Sequence, residues 1–376
     1  MLKGIYMSLF MGPGIPEPAP KEVVDALISA QVTSGGDRSG FQLVFSMNKK
    51  SKLFQSMLPA GLFDPGPTTR VILTCTLGGS PTVLIDGVVT RHEISASNEG
   101  GQSTLTLTGE DLTVLMDLVQ IPVMRYPAIP VTGRLALIVA TYSVLGIVPL
   151  IIPPIFEDFT PPTQEVPSQT GTDLAYIKKM AEQTGYIYFL QPGPAPGSSV
   201  FYFGPDISNP VPQPALTVNM DANTNVENLT FSLDGLAKKI TVMTVYDFAT
   251  GKIAIPIPVP NISLLRPPLG ARVTAPLKVE FPTDGGNISS IKALGIALAK
   301  MGMTGEAVTG SGTLNVLRYG SILQPHRTVG VRGAGLAYDG LYYVRTVTHN
   351  IKRGEYKQSF TLSRDGLVSP TQTVPV

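Results

Sequence analysis

The stretch from Asp86 to Asp111 is echoed near the C-terminus by the stretch from Asp339 to Asp365, and this internal duplication constrains the fold more than any single residue. Each copy contains an Asp-Gly pair, an apolar strand, a Gly-bearing turn, an alternating strand and a closing Asp. The turns are Glu99-Gly100-Gly101 and Arg353-Gly354-Glu355, and the alternating strands are Thr104 to Thr108 and Ser359 to Ser363. Because Asp-Gly supplies the positive φ of a two-residue hairpin turn, the pattern predicts two like β-modules with equivalent Asp-Gly hairpins.

The composition indicates a turn-rich β-protein with extensive buried contacts. Charged residues make up 15% of the 376 residues, against about 25% in typical soluble domains, and the net charge is +1. With so little charge to cover the surface, we expect much of it to be buried against partners, although a surface rich in neutral polar residues is an alternative. The 38 Gly and 34 Pro residues suit many turns and long loops.

Charge and cysteine content exclude several classes. A near-zero net charge argues against a nucleic-acid binder held by phosphate contacts, so Lys49-Lys50-Ser51-Lys52 is interpreted as a solvated turn. The single cysteine, Cys75, excludes an internal disulfide and is predicted to be a buried thiol. The N-terminal apolar run from Ile5 to Met11 is predicted to be a first strand and not a signal peptide.

A segment of 18 uncharged residues, Leu135 to Ile152, has the minimum length of a membrane helix. Because Gly146 and Pro149 interrupt it, we favour a helix to Leu145, a Gly C-cap and a buried strand from Ile147 to Ile152. Helices of equal length that end in Gly are also predicted for Leu174 to Gly185 and Ile291 to Gly302. The first two helices precede apolar strands, which predicts a small α/β insertion.

The fold class is therefore mainly β with an α/β insertion, that is, two tube-like antiparallel β-barrel domains plus a small α/β domain. Pro-rich stretches mark the connections, and Pro205 to Pro214 separates the insertion from the second β-module, which opens with Asn228 to Leu233 and Lys239 to Tyr246. The predicted domains are a first β-barrel over 1–120, the α/β insertion over 121–205, and a second β-barrel over 206–376 with a helix near 290–302.

The sequence shows no arrangement typical of catalysis. His92, His326 and His349 are isolated, and none lies beside a Ser or Cys in a nucleophile signature or at metal-ligand spacing. The acidic pair Glu110-Asp111 cannot place two carboxylates across a substrate. We predict no enzyme activity and no catalytic, cofactor-binding or metal-binding residues. The aromatic residues Tyr186, Tyr188, Phe189, Phe201, Tyr202 and Phe203 are predicted to pack a core.

Several blocks resemble the late control gene D family, the baseplate hubs of contractile phage tails and injection systems, which are similar to the hub part of VgrG. The blocks are Thr172 to Tyr186, Phe201 to Pro205, Gly87 to Val89 leading to Leu105 to Asp111, and Asp339 to His349, together with Phe41 to Phe45 after a short helix around Glu22 to Ala30. Val245-Tyr246-Asp247 stands where such hubs often show a Gly-Trp-Asp turn.

The resemblance implies a homotrimer that forms a pseudo-sixfold adaptor between a hexameric inner tube and a trimeric central spike. The implied partners are the inner tube protein, the central spike protein and other baseplate proteins, and the implied location is a virion tail baseplate or contractile injection particle assembled in the bacterial cytoplasm. Because the chain ends soon after Asp365, we expect the spike to be a separate polypeptide. Alternatives are a tail-associated cell-wall or carbohydrate-binding protein, or a peptidoglycan-degrading tail enzyme.

Overall fold

A computed structural model describes residues 4–36, 38–67, 69–97, 103–154, 166–206, 211–246, 254–259, 268–280 and 306–370. The first β-module contains seven strands and one short helix, with a π-helical turn at Leu53–Met57 and a 3-10 turn at Leu112–Asp117. Its elements are β1 (Ile5–Gly12), β2 (Glu17–Pro18), α1 (Lys21–Ala26), β3 (Leu27–Gly35), β4 (Gly40–Met47), β5 (Arg70–Leu77), β6 (Ser80–Ser95) and β7 (Ser103–Asp111).

An α/β unit follows the first module. Its elements are β8 (Gln120–Arg125), α2 (Val131–Ala140), β9 (Ile147–Ile151), β10 (Ser168–Thr172), α3 (Asp173–Thr184), β11 (Ile187–Pro192) and β12 (Ser199–Gly204). Strand β12 lies between antiparallel β11 and parallel β9. The strands predicted after Gly146 and Gly185 are present, but β9 is not the buried strand that was expected, since Val148 and Leu150 are exposed and only Ile147 is buried. Helix α3 begins where the Thr172 hydroxyl accepts a hydrogen bond from Ala175 N and ends at Gly185, whose φ of 68° closes the helix in the left-handed region.

The second β-module contains the remaining strands. Its elements are β13 (Gln213–Thr217), β14 (Val226–Leu233), β15 (Lys239–Tyr246), β16 (Ala254–Val259), β17 (Arg272–Val273), β18 (Lys278–Glu280), β19 (Val308–Asn315), α4 (Val316–Tyr319), β20 (Thr328–Arg332), β21 (Gly340–Lys352), β22 (Glu355–Arg364) and β23 (Gly366–Leu367). The predicted strands at 228–233 and 239–246 are therefore confirmed.

One 13-stranded sheet runs through both β-modules, which confirms the mainly β class. Its order is β14-β19-β22-β21-β3-β4-β7-β6-β5-β1-β2, and β20 joins β21 to β13. The modules meet at the antiparallel pair β21 and β3. Among the described residues the predicted pair of barrels thus takes the form of one continuous hydrogen-bonded sheet.

The two modules repeat the same strand order. The path β5-β6-β7-β4-β3 in the first module corresponds to β20-β21-β22-β19-β14 in the second. A β-bulge lies at the same place on β3, between Leu27 and Ser29, as on β14, between Val226 and Asn228. A second bulge lies at Thr90 of β6, and its counterpart lies at Arg345 of β21.

The registers between these two bulges agree residue by residue. From the first bulge, Ser29 pairs with Val44 and Val44 with Thr106, whereas Asn228 pairs with Thr313 and Thr313 with Ser359. This route makes Thr106 of β7 equivalent to Ser359 of β22. From the second bulge, Glu93 pairs with Thr106 and Thr348 with Ser359, which gives the same equivalence. The two modules therefore share the same strand pairing, residue for residue, between the two bulges.

The predicted Asp-Gly hairpins are wrong. Gly87 lies inside β6, where it pairs with Val71 and Asp111 and lacks a positive φ. Gly340 has a φ of 129° but opens β21. The register makes Gly87 equivalent to Tyr342, so the two Asp-Gly pairs are two residues out of step. A slip of two residues keeps each side chain on the same sheet face, so alternation in the sequence cannot detect it.

Several element boundaries differ from the prediction. The helix expected around Glu22 to Ala30 ends at Ala26, because the next nine residues form β3 and pair with both β4 and β21. The helix expected from Leu135 begins at Val131, after Pro130, and only a 3-10 turn continues it to Gly146. The predicted helix at 291–302 lies outside the described residues. No helix in the described part of the chain has the length and apolar character of a membrane span.

Two hydrophobic cores hold these units. The larger core draws buried side chains from both β-modules, such as Phe45 and Phe360. The second lies in the α/β unit and includes Leu135, Ile177 and Phe203. Tyr186, Phe201 and Phe203 are buried in this core and Tyr188 packs against it, as predicted, whereas Phe189 and Tyr202 lie outside it and stack on each other. The domain boundaries at 120 and 205 stay predictions.

Candidate functional site

The three histidines lie apart and contact structural groups. Each Nδ1 is near an oxygen: 3.1 Å from the Phe63 carbonyl for His92, 3.2 Å from the Tyr343 hydroxyl for His326, and 2.7 Å from the Tyr356 hydroxyl for His349. Within the described ranges, no three His, Cys, Asp or Glu residues are grouped to hold a metal ion. The absence of a catalytic site stays a prediction. The specific contacts of this chain lie at the joints between its units, and its unpaired backbone groups lie at the strand edges.

The joint between the two β-modules is tightly fitted. Thr33 of β3 faces Thr348 of β21 with 3.1 Å between the hydroxyl oxygens, and Gln31 donates to Asn350 at 3.0 Å. A Cβ on Gly35, whose φ is 93°, would lie 2.2 Å from the Arg345 carbonyl oxygen. The backbones therefore approach so closely that this position requires Gly.

A buried polar cluster lies on the core face of this joint. The His349 ring is close to the Tyr356 hydroxyl, and burial lowers the pKa of His349 to about 4. Gln358 exchanges two hydrogen bonds with the Leu323 backbone, at 3.0 and 2.9 Å. A neutral histidine is therefore part of the fixed packing between the modules at neutral pH.

A buried ion pair of the first β-module, Arg70 and Asp86, lies where this module meets the α/β unit. Arg70 donates two hydrogen bonds of 2.7 Å to Asp86 and others to the carbonyl oxygens of Gly14 and Leu145. Burial raises the pKa of the Asp86 carboxyl, and the Arg70 guanidinium opposes that rise. The Asp86 that the sequence placed in a turn instead anchors the arginine at a domain junction.

A second, partly exposed ion pair supports the same junction. Arg38 contacts Glu110 at 3.0 Å and Asp117 at 2.7 Å, while the Thr172 hydroxyl donates to Asp117 at 2.7 Å. The Thr172 hydrogen bond, followed by Arg38, lowers the pKa of Asp117. Because Thr172 also caps α3, the start of this helix is tied to the first β-module.

The α/β unit contacts the second β-module through an aromatic stack. The Phe189 ring lies 4.0 Å from the His326 ring with an interplanar angle of 4°, and Tyr202 stacks on Phe189 at 4.9 Å. Burial lowers the pKa of His326 to about 4. Nearby, Arg345 in the β21 bulge contacts Glu306 at 3.0 Å and Asp206 at 3.4 Å. The aromatic stack therefore holds the α/β unit against the second β-module, and the Arg345 ion pairs lie beside it.

Among the duplicated strands, two stretches of edge are open in the described part of the chain. Strand β14 pairs with β19 alone, so its outer edge has no neighbouring strand. The second stretch is Arg91–Ser95 of β6, which pairs with β7 on one edge and extends beyond β5 on the other. Open edges carry unpaired N–H and C=O groups that can pair with another chain.

A groove of about 440 Å³ lies beside β14, β19 and β22. Its lining includes Thr and Ser hydroxyls and the Glu306–Arg345 ion pair, and it contains neither His nor Cys.

Sequence reasoning missed Arg70 and Arg345, the two arginines at the junctions. Arg70 is the one charged residue of β5, and Arg345 shares β21 with Lys352. Their carboxylate partners lie 16 residues away for Arg70 and 139 and 39 residues away for Arg345. No local signal in the sequence indicates such partners.

No protein-family model matches the sequence, and no curated protein matches it significantly. Solved structures do share its fold. A tail protein from Neisseria meningitidis MC58 is 15% identical, with a TM-score of 0.62 over 98% of both chains. The 43 kDa tail protein of prophage MuSo2 from Shewanella oneidensis is 12% identical, with a TM-score of 0.60 over 97% of this chain and 100% of that one.

A third similar structure comes from a secretion machine. The Escherichia coli c3393 protein, a component of the type VI secretion system described as similar to the T4 tail proteins gp27 and gp5, is 11% identical. Its TM-score is 0.52 over 92% of this chain and 76% of that one. The chain therefore has the fold of phage tail proteins and of a type VI secretion component.

Proposed function

We propose that the protein is the structural baseplate hub of a contractile tail or injection machine. In this role it forms a homotrimer that connects a hexameric inner tube to a trimeric central spike and contacts other baseplate proteins. It acts within a tail or injection particle that is assembled in the bacterial cytoplasm. The shared fold with tail and type VI secretion proteins supports the machine, and the chain's internal symmetry supports the adaptor role.

The observation that carries the proposal is the register-matched duplication. One chain presents two equivalent β-modules joined edge to edge, with two bulges at the same positions. Three chains then supply six near-equivalent modules. This arrangement lets one face match a sixfold tube, while the whole object keeps the threefold symmetry of the spike.

The low charge content agrees with a protein that works inside an assembly. Only 15% of residues are charged, so burial of surface against like chains and partners removes apolar area that charge does not cover. Obligate interfaces of this kind bury roughly 2,000 Å² or more.

The test is to purify the chain alone and after co-expression with the inner tube and central spike proteins of the same machine. Light scattering should give a particle of about 120 kDa for the chain, three times its mass of 39.9 kDa. Pull-down should recover both partners. A well-dispersed monomer at high concentration that binds neither partner contradicts the proposal.

The proposal also includes the absence of catalytic activity, which separates a hub from a tail enzyme. The purified trimer should leave peptidoglycan, ester and peptide substrates unchanged. Turnover that persists through further purification and is abolished by changing one acidic or histidine residue would support the enzyme alternative instead.

A further inference from the structure

The joint between β21 and β3 has an equivalent location elsewhere on the molecule. In the register of the duplication, the end of β6 corresponds to the part of β21 that pairs with β3, and β14 corresponds to β3. The stretch Thr346–Lys352 of β21 is covered by β3, whereas its counterpart, which begins at Arg91, has an open edge. Among the described residues, the outer edge of β14, which corresponds to the covered edge of β3, has no neighbouring strand either.

We propose that these two open edges pair with each other between copies of the chain. Residues 91–95 of β6 in one copy lie antiparallel to residues 230–234 in the next copy. The register copies the intrachain joint, in which Thr346 pairs with Gly35 and Thr348 with Thr33. The corresponding interchain pairs are Arg91 with Asp234, Glu93 with Ser232, and Ser95 with Thr230. The proposal rests on the proposed assembly of like chains and names the surface that forms it.

The side chains on these edges are complementary. Arg91 and Asp234 carry opposite charges and become direct cross-strand neighbours. Both are exposed, and Arg91 otherwise contacts Glu93 of its own strand at 3.0 Å. Opposite charges at one end of a short ladder favour this register over a slipped one.

The core face of the proposed ladder carries apolar side chains that are now half exposed. Ile94 is 42% exposed and Leu233 is 43% exposed. Their counterparts at the intrachain joint, His349 and Ser34, are only 3% and 9% exposed. Pairing of the two edges would bury Ile94 and Leu233 as the joint buries its own residues.

The two edges lie on different modules, so the contact is head to tail. Each copy offers the β6 edge to one neighbour and the β14 edge to the other, and such a contact closes into a ring when the rotation allows. In a ring of three chains, three intrachain joints alternate with three interchain joints of the same pattern. Closure also covers these two edges, which otherwise invite aggregation.

Paired cysteines test the register directly. Cysteines at facing positions of an antiparallel pair lie within disulfide distance. The variant Glu93→Cys/Ser232→Cys should therefore form an interchain disulfide under mild oxidation of the full chain. The matched positive control is Thr33→Cys/Thr348→Cys, which should close the equivalent disulfide within one chain. The native Cys75 is buried, which raises its pKa to about 11 and keeps it unreactive.

The negative control is Glu93→Cys/Leu233→Cys. A shift of one residue points the second cysteine to the opposite sheet face, so interchain product should fall roughly tenfold or more. Independently, Arg91→Asp and Asp234→Arg should each reduce assembly, and the double variant should restore it.

The outcomes separate this inference from the proposed function. Selective cross-linking of Glu93→Cys/Ser232→Cys into closed trimers supports both. Trimers without that disulfide, while the intrachain control closes, overturn the surface and leave the hub proposal standing. Selective cross-links in rings of another size support the surface and contradict the trimer. A chain that stays monomeric and forms no interchain disulfide overturns both.

Discussion

At the scale of single residues, His349 links the joint between modules to pH. Its neutral ring is buried beside Tyr356, with a pKa of about 4, whereas an unfolded histidine has a pKa of about 6.5. The unfolded chain thus binds a proton at this group between these two values, and the folded protein does not. The stability from this group is complete above about pH 6.5 and is lost as the pH falls toward 4.

We therefore expect His349→Gln to lose less stability than the natural chain on acidification, by about 2–3 kcal/mol at pH 4.5. Glutamine keeps a polar group near Tyr356 but does not titrate. Chemical denaturation at pH 7.5 and 4.5 measures the difference. Parallel pH profiles for the two chains would exclude His349 as the source. His326 shifts in the same direction and should contribute equally to both profiles.

The Arg70–Asp86 pair gives a second prediction at this scale. Asp86→Ala leaves a buried guanidinium without its carboxylate, and we expect a loss of about 3–5 kcal/mol of unfolding free energy. The matched control is Glu22→Gln, which removes the exposed Lys52–Glu22 pair and should leave the denaturation midpoint unchanged. If both variants behave alike, burial does not set the cost.

At the scale of elements, the hairpin between β21 and β22 turns at Arg353 and Gly354. Lys352 pairs with Glu355, and Gly354 has a φ of 79° with open space around its missing Cβ. The positive φ, and not a steric clash, should then determine how much stability a substitution at Gly354 loses. We expect Gly354→Ala to lose about 1 kcal/mol of stability, and Gly354→Asn to lose less because Asn tolerates this region. Thermal unfolding of both variants measures the order, and equal losses would contradict it.

This hairpin also shows what the sequence could predict. The turn at Gly354, the Gly-capped end of α3 and the strands after each Gly follow from local chemistry, and the structure has them there. The Asp-Gly pairs failed because Gly87 is needed for a different reason: its Cβ would lie 2.1 Å from the Glu110 carbonyl oxygen. A close approach between two strands requires Gly just as a tight turn does, so the residue type alone does not distinguish the two.

Long-range pairing explains the other failures. Residues 27–30 have no local feature that ends a helix. They become strand because this segment pairs with β4 and, from Ser29 onward, with β21, which is more than 300 residues away. The junction partners of Arg70 and Arg345 likewise come from other elements. The presence of two similar β-modules was predictable because both copies show the same alternation of apolar and polar residues. The residue-by-residue match between the modules is set by the two bulges, which the sequence pattern does not reveal.

At the scale of the whole molecule, the large sheet contains one completed joint between modules and two open edges that are equivalent to the two sides of that joint. The joint between modules covers β3 on both edges, while the equivalent strand β14 is covered on one edge. A single chain therefore contains one complete joint and the two halves of another. Assembly in the proposed ring gives every equivalent strand the same surroundings.

This difference predicts a pattern of amide hydrogen exchange. In the isolated chain, outward-facing amides in residues 230–233 and 91–95 should exchange rapidly because no strand in the described part of the chain accepts their hydrogen bonds, whereas residues 29–35 should be protected. In the assembled particle we expect protection of both open edges to rise by roughly a hundredfold or more, with residues 29–35 unchanged. Peptide-resolved mass spectrometry of the two states measures this. Slower exchange confined to other surfaces would mean that the chains meet elsewhere, whereas protection of both edges together would mean that each edge is covered by the other.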